Sequence, residues 1–233
     1  MYTKNFITFG DNKYKKALNR INLEAINSKF FDGITIYSEN DLPIQMNNYC
    51  LNNPRGYGFW SWKPYLILKR LREINDDDIL IYADAGCTID QSCKKRYDEY
   101  IKYLENNDIV CFQLDHLIKS FTKMSLINYL DCYHLLNVKQ IMATIIILKK
   151  TQNVMEMIEK WYNLSQIPYH IDDSRSIIPN DETFIDNRHD QSIFSLLCYI
   201  YGEKCKILMI HDETYRKEPG FILCPFKATR LRF

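Results

Sequence analysis

Asp78-Ile79-Leu80-Ile81-Tyr82-Ala83-Asp84-Ala85-Gly86 is an apolar strand over 78–82 that runs out into small residues around one acid. Outward from it, strands and helices alternate in both directions. Before it, Phe6-Ile7-Thr8-Phe9-Gly10 reads as a buried strand closed by a glycine. Asp11 or Asn12 caps the next helix, whose Tyr14, Ala17, Leu18, Ile21 and Ala25 share one face. A second strand covers 33–37, and Pro64 suits the first turn of a helix running to about Ile74. After it, Ser92 caps a helix with Tyr97, Tyr100, Ile101 and Leu104 on one face. Strands cover 109–112 and 141–148, the latter the longest, and helices cover about 152–163 and 189–201. A last strand at 206–210 precedes a loop-like tail. The alternation predicts an α/β fold with a mostly parallel central sheet and helices on both faces. The stretch 164–188 is polar and long for a loop, so it reads as a functional segment or a lid.

The bulk numbers narrow the function classes. A chain of 233 residues supports one substantial core, and no repeat or linker divides it, so 1–233 reads as a single domain. The net charge of +1 gives no argument for a nucleic-acid partner, although Lys227, Arg230 and Arg232 make the tail locally basic. The eight cysteines form no CxxC pair and no zinc spacing, and several sit in apolar runs. They read as reduced thiols filling core positions, which points to the cytoplasm, bacterial or that of a host cell. The N-terminus lacks a signal-peptide pattern and the longest apolar run is too short to span a bilayer, so any membrane association is expected to be peripheral.

In an open α/β sheet ligands bind beyond the carboxyl ends of the strands. Asp76-Asp77-Asp78 precedes its strand and therefore reads as a solvated turn. Asp84 follows the same strand, with Ala83, Ala85 and Gly86 leaving space beside it. It is either an oxygen ligand for a hard divalent cation or an Asx-turn. Gly10 either admits a nucleotide close to the backbone or simply ends its strand. In 53–64, Arg55 and Lys63 can meet phosphate oxygens, and the tryptophans either cover a base or sugar or anchor the helix. Asp190, in the first turn of a helix, either acts on an acceptor hydroxyl or caps that helix. His211 either completes a metal site with Asp84 or is structural, and Lys123 is a weaker candidate against an exposed charge.

Taken together, Ile7-Thr8-Phe9-Gly10, Gly56-Tyr57-Gly58-Phe59-Trp60-Ser61-Trp62-Lys63-Pro64, Tyr82-Ala83-Asp84-Ala85-Gly86-Cys87, Thr122-Lys123 and Arg188-His189-Asp190-Gln191-Ser192 resemble the nucleotide-diphospho-sugar glycosyltransferases of the GT-A fold. The resemblance is to the short bacterial and large-virus type and covers roughly residues 5–202. It implies donor contacts from Thr8, Phe9, Gly10, Arg55, Trp60, Lys63, Asp84, Ala85 and Gly86 in a nucleotide-sugar-binding part of about 1–115. It implies an acceptor side of about 116–233, with Lys123 and Gln191 on it and His189 and Asp190 as the catalytic stretch. Asp84 corresponds to the first acid of the fold's Asp-x-Asp motif, and Gly86 stands where the second would be.

The expected activity is transfer of a sugar from a nucleotide diphosphate donor, UDP foremost, to a glycan or other hydroxyl acceptor, as in polysaccharide biosynthesis. Mn²⁺ or Mg²⁺ on Asp84 and His211 is the expected cofactor, and the missing second acid bears on that directly. The alternatives are a catalytically silent sugar-nucleotide binder and a phosphohydrolase, since 84–88 is partly similar to an Asp-x-Asp-x-Thr signature.

Overall fold

In the computed structural model, which describes residues 2–233, one large sheet carries the architecture. β1 (Lys4–Phe9), β2 (Gly33–Tyr37) and β3 (Ile79–Ala83) lie parallel, in the order β2-β1-β3. β5 (Ile109–Leu117) runs parallel to β8 (Ile207–His211) on one side. Between β3 and β5 lies β7 (Ile145–Lys149), antiparallel to both, and β6 (Lys139–Ile141) pairs antiparallel with β5 alone, beyond it. A small second sheet pairs β4 (Thr88–Ile89) with β9 (Phe226–Lys227).

The sheet is thus mixed and mostly parallel. The strand read over 141–148 is one long run interrupted at Met142–Thr144, and it is antiparallel. The interruption keeps its polar groups satisfied: Met142 N donates to Phe112 O at 2.8 Å, and Thr144 O accepts from Asp84 N at 2.9 Å.

Alternate residues of the strands feed two cores, as a period of two demands. On one face Ile7, Leu80 and Tyr82 pack with α4 (Trp62–Glu73), α8 (Gln152–Ser165) and α10 (Asp190–Ile200). On the other, Phe6, Ile79 and Ile81 pack with α1 (Lys15–Ser28) and α5 (Lys94–Tyr103). α10 is apolar around most of its circumference because it is buried there, not laid on the surface. Its Ser195 hydroxyl bonds both the N–H and the C=O of Ile141, closing the end of β6.

The remaining helices are short: α2 (Ile44–Asn52), α3 (Gly56–Phe59), α6 (Ile118–Phe121), α7 (Met124–Tyr129) and α9 (Pro168–Ile171). α9 lies inside the stretch read as a loop over 164–188. Ser92 does not cap α5: it sits in a short 3₁₀ turn (Gln91–Cys93) capped by Asp90, whose side chain accepts from Ser92 N, and α5 follows with no side-chain cap. All eight cysteines are buried and unpaired. The tail is not free: besides β9, Leu231 N donates to Gly86 O at 2.9 Å and Thr229 Oγ1 donates to the same oxygen at 2.9 Å. Among the described residues no helix is long and apolar enough to cross a membrane.

Candidate active site

Beyond the carboxyl ends of β1 and β3 lies a cleft of about 640 Å³. Phe9, Gly10, Arg55, Trp60, Lys63, Asp84, Ala85, Gly86, His189, Asp190 and Gln191 all line it. Stretches separated by more than a hundred residues therefore meet at one rim. A smaller hollow of about 350 Å³ opens between Glu24, Asp90 and Lys227 on another side. It brings together none of these groups.

The depth of the cleft is organised by Lys63, only 2% exposed. Its Nζ stands 2.7 Å from Asp190 Oδ2, 3.3 Å from Asp84 Oδ1 and 3.0 Å from the Ala143 carbonyl, in the interruption between β6 and β7. Tyr82, fully buried, donates its hydroxyl to Asp84 Oδ1 at 2.5 Å. Burial alone would push the Lys63 ammonium down, but Asp190 and then Asp84 face it and hold it above its ordinary value. Asp190 moves against what a simple ion pair would do. Burial outweighs the pull of Lys63, Asp84 adds repulsion, and the carboxyl rises to about 6. One ammonium serves two carboxylates, so Lys63 stays charged and it is the Asp190 anion that is disfavoured.

This reassigns Lys63. Expected at donor phosphate, it is instead consumed by two acids and a backbone carbonyl. A sequence signal existed: Lys63, Leu66 and Ile67 fall three and four apart on the buried face of α4.

The wall carrying Trp60 is wound the wrong way. Gly56, Tyr57, Gly58, Phe59 and Trp60 all have φ between 51° and 81°. Three of these are not glycine, and left-handed backbone costs such residues about 1–2 kcal/mol each. Packing holds the turn. Trp62 Nε1 donates to Gly56 O at 3.2 Å, and Tyr57 Oη donates to Asn47 Oδ1 at 2.5 Å. A Cβ on Gly58 would stand 2.5 Å from Cys50 Sγ. Trp62 is the core anchor, at 4.0 Å from the Phe9 ring, and Trp60 faces the cleft.

The opposite wall is the 172–190 segment. Arg55 ties it down through Asp173 at 2.8 Å and Asp186 at 2.7 Å, so Arg55 too is paired within the protein. His189 has φ 54° and ψ −120°, stacks on Phe59 and bonds Asp173 through Nε2 at 2.9 Å. Burial holds its imidazole below the ordinary value, against the attraction of Asp173. Gln191 Nε2 donates to Gln140 Oε1 at 2.8 Å.

Three expected site residues lie elsewhere. The Thr8 side chain is fully buried away from the cleft, its hydroxyl unpartnered. Lys123 is buried under the 169–174 segment, bonded to Tyr169 O, Asp172 and Ser174. His211 is exposed at the end of β8, 3.7 Å from Asp115, and does not line the cleft, so the expected Asp84–His211 pair is not made. Gly10 does line it, but a Cβ there would meet Tyr14 Cβ at 2.7 Å. Close packing of α1 is thus sufficient reason for that glycine.

The donor set fits a protein-held divalent cation poorly. No group of three or more His, Cys, Asp or Glu that could hold a metal occurs among the described residues. Asp84 has its neighbouring acid, Asp190, engaged by Lys63. At Gly86 a side chain would begin 3.2 Å from the Arg230 Cα, so backbone fills the place of a second acid.

Arg188, Arg230 and Arg232 line the same cleft and were not among the expected site residues. The signal for Arg188 was its place directly before His189-Asp190. That for the tail was its basic character alone, which says nothing of where it packs.

No protein-family model matches the chain, and no curated protein matches it. Among solved structures it is similar to a glycosyltransferase involved in the glycosylation of the major capsid of PBCV-1, with a TM-score of 0.50 at 10% identity over 97% of this chain and 92% of that one. It is similar also to core-mannan synthase A of Aspergillus fumigatus in its Mn/GDP form, with a TM-score of 0.50 at 7% identity over 90% of this chain and 73% of that one. Such identities speak of architecture alone: the chain has the GT-A-type α/β fold of these proteins.

Proposed function

We propose that the cleft binds a nucleoside-diphosphate sugar and transfers the sugar to a hydroxyl of an acceptor, with a glycan as the acceptor class. The observation that carries this reading is the meeting of Gly10, Trp60, Asp84 and Asp190 in one cleft beyond the strand ends. The fold supports it, being shared with a glycosyltransferase and with a synthase described with Mn and GDP. Residues 1–115 then supply most donor contacts and 116–233 the acceptor side.

In this reading Trp60 covers an apolar face of the donor, and Asp84, steadied by Tyr82 and Lys63, orients it. Asp190 orients the acceptor hydroxyl and takes its proton as the new bond forms. A carboxyl near 6 is mostly ionised at neutral pH and still accepts a proton usefully. His189 is a positioning residue that fixes the entry into α10. No step is assigned to a metal.

The test is transfer and hydrolysis with a panel of UDP-, GDP- and CDP-sugars. Asp84→Asn and Asp190→Asn should each lower turnover by about a hundredfold or more while the fold melts cooperatively. Near-wild-type turnover in Asp190→Asn would remove it as the proton acceptor. Nucleotide binding without turnover across acceptors would favour the silent binder.

A further inference from the structure

We propose that Arg230 and Arg232, laid across the cleft by the tail, form with Arg188 the seat of the donor's diphosphate, replacing the cation that a second acid would hold. This deepens the donor reading above and rests on it.

The first support is the path of the tail. Leu231 N and the Thr229 hydroxyl both bond Gly86 O, and Ala228 N donates to Thr214 O at 2.8 Å. Residues 228–231 are therefore fastened beside the acid of β3, and the backbone occupies the direction in which a side chain at 86 would project. The absent acid and the present tail are two sides of one arrangement.

The second support is uncompensated charge. Six basic side chains line the cleft against four carboxylates, in a chain whose net charge is +1. Lys63 and Arg55 already have carboxylate partners. Arg188, Arg230 and Arg232 make no ion pair among the described residues. Each lies over a ring instead: Arg188 over Phe121 at 4.5 Å, Arg230 over Tyr215 at 5.7 Å and Arg232 over Tyr14 at 5.5 Å. Arg188 is held below its ordinary value by burial first and by Arg230 next, so these two guanidiniums feel each other. Planar forks stacked on rings keep their N–H edges free for phosphate oxygens, and a dianion between them relieves their repulsion.

The experiment is calorimetric binding of UDP, GDP and CDP, and of the matching monophosphates, to the full chain in EDTA and in MnCl2. The variants are Arg188→Ala, the double R230A/R232A and the double R230K/R232K. At least one diphosphate should bind the wild type in EDTA within a few-fold of its affinity in MnCl2. Each lost arginine should weaken that binding by about tenfold to a hundredfold, since bonds to charged groups carry roughly that much. The monophosphate should change far less, and the lysine pair should recover part of the loss. Diphosphate binding that needs Mn²⁺ and is unchanged in the R230A/R232A protein overturns this proposal and leaves the donor reading standing. Absence of binding by all three diphosphates in both media overturns both.

Discussion

Replacing Lys63 by methionine keeps a long unbranched stem and deletes the ammonium. Its Nζ lies 2.7 Å from Asp190 and 3.3 Å from Asp84, and the side chain is 2% exposed, so water cannot take over its role. Removing one partner of a buried ion pair costs about 3–5 kcal/mol. Here two carboxylates are left facing each other, and a proton must bind between them to relieve the strain. That makes the loss depend on pH. Asp190 already rises from 3.8 to about 6 with Lys63 present, and without its pull rises further. A carboxyl whose folded value exceeds its unfolded one binds more protons folded than unfolded. Stability therefore falls as pH rises between the two values, and the deficit is complete above the folded one.

The wild type should lose stability from this group between about pH 4 and 6 and then level off, whereas Lys63→Met should go on losing it past about pH 7. Urea unfolding at about pH 5.5 and pH 8, with the slope held common, reads both effects. We expect a deficit of about 3–5 kcal/mol at the higher pH, smaller by about 1–2 kcal/mol at the lower. A deficit below about 1 kcal/mol at the higher pH, or one equal at both, would refute the two-carboxylate account.

On the proposed function the same carboxyl should set a pH profile for transfer. With Asp190 as proton acceptor, kcat should rise with pH through about 6 and flatten above it, and a flat profile from mildly acidic to neutral pH would contradict that role. Gly86→Ala should cost about 1–3 kcal/mol and weaken diphosphate binding, because its Cβ displaces the Arg230 backbone 3.2 Å away; limited proteolysis should cut the tail faster. His170 is fully buried between the Tyr129 and Tyr169 rings, and neither ring nitrogen makes a hydrogen bond of good geometry, the Leu164 backbone being the one polar group that favours its charged form. His170→Phe should therefore raise stability by about 1–2 kcal/mol, seen as a higher urea midpoint with unchanged slope.

The parallel half of the fold was legible because its signals are local. β1, β2 and β3 are apolar runs with abrupt ends, and α4 and α10 start where Pro64 and Asp190 say they should, within a residue or two. The rim of the cleft followed from strand direction. The direction of β7 did not, because an apolar run reads the same parallel or antiparallel. Its break at Met142–Thr144 was hidden too, since Met142 and Ala143 are as apolar as their neighbours and what matters there is the carbonyls of Ala143 and Thr144. Lys123, expected on the acceptor side or as an exposed charge, is instead held by Asp172, and Lys63 shows the commonest error of such reading. A cation near a glycine-rich stretch looks available for phosphate, but carboxylates inside the protein already hold it. The tail was opaque because its docking depends on one carbonyl, that of Gly86, which has no signature in composition.

The left-handed run from Gly56 to Trp60 has a mechanical meaning. To move this backbone, several consecutive residues would have to cross the barrier near φ zero together, and the packing is close: a Cβ added at Gly56 would stand 2.3 Å from the Trp60 ring. Such a wall does not hinge. Whatever enters meets a rigid mould whose contour was cast when the chain folded, so selection among visitors is by shape at the threshold, with adaptation left to the opposite side.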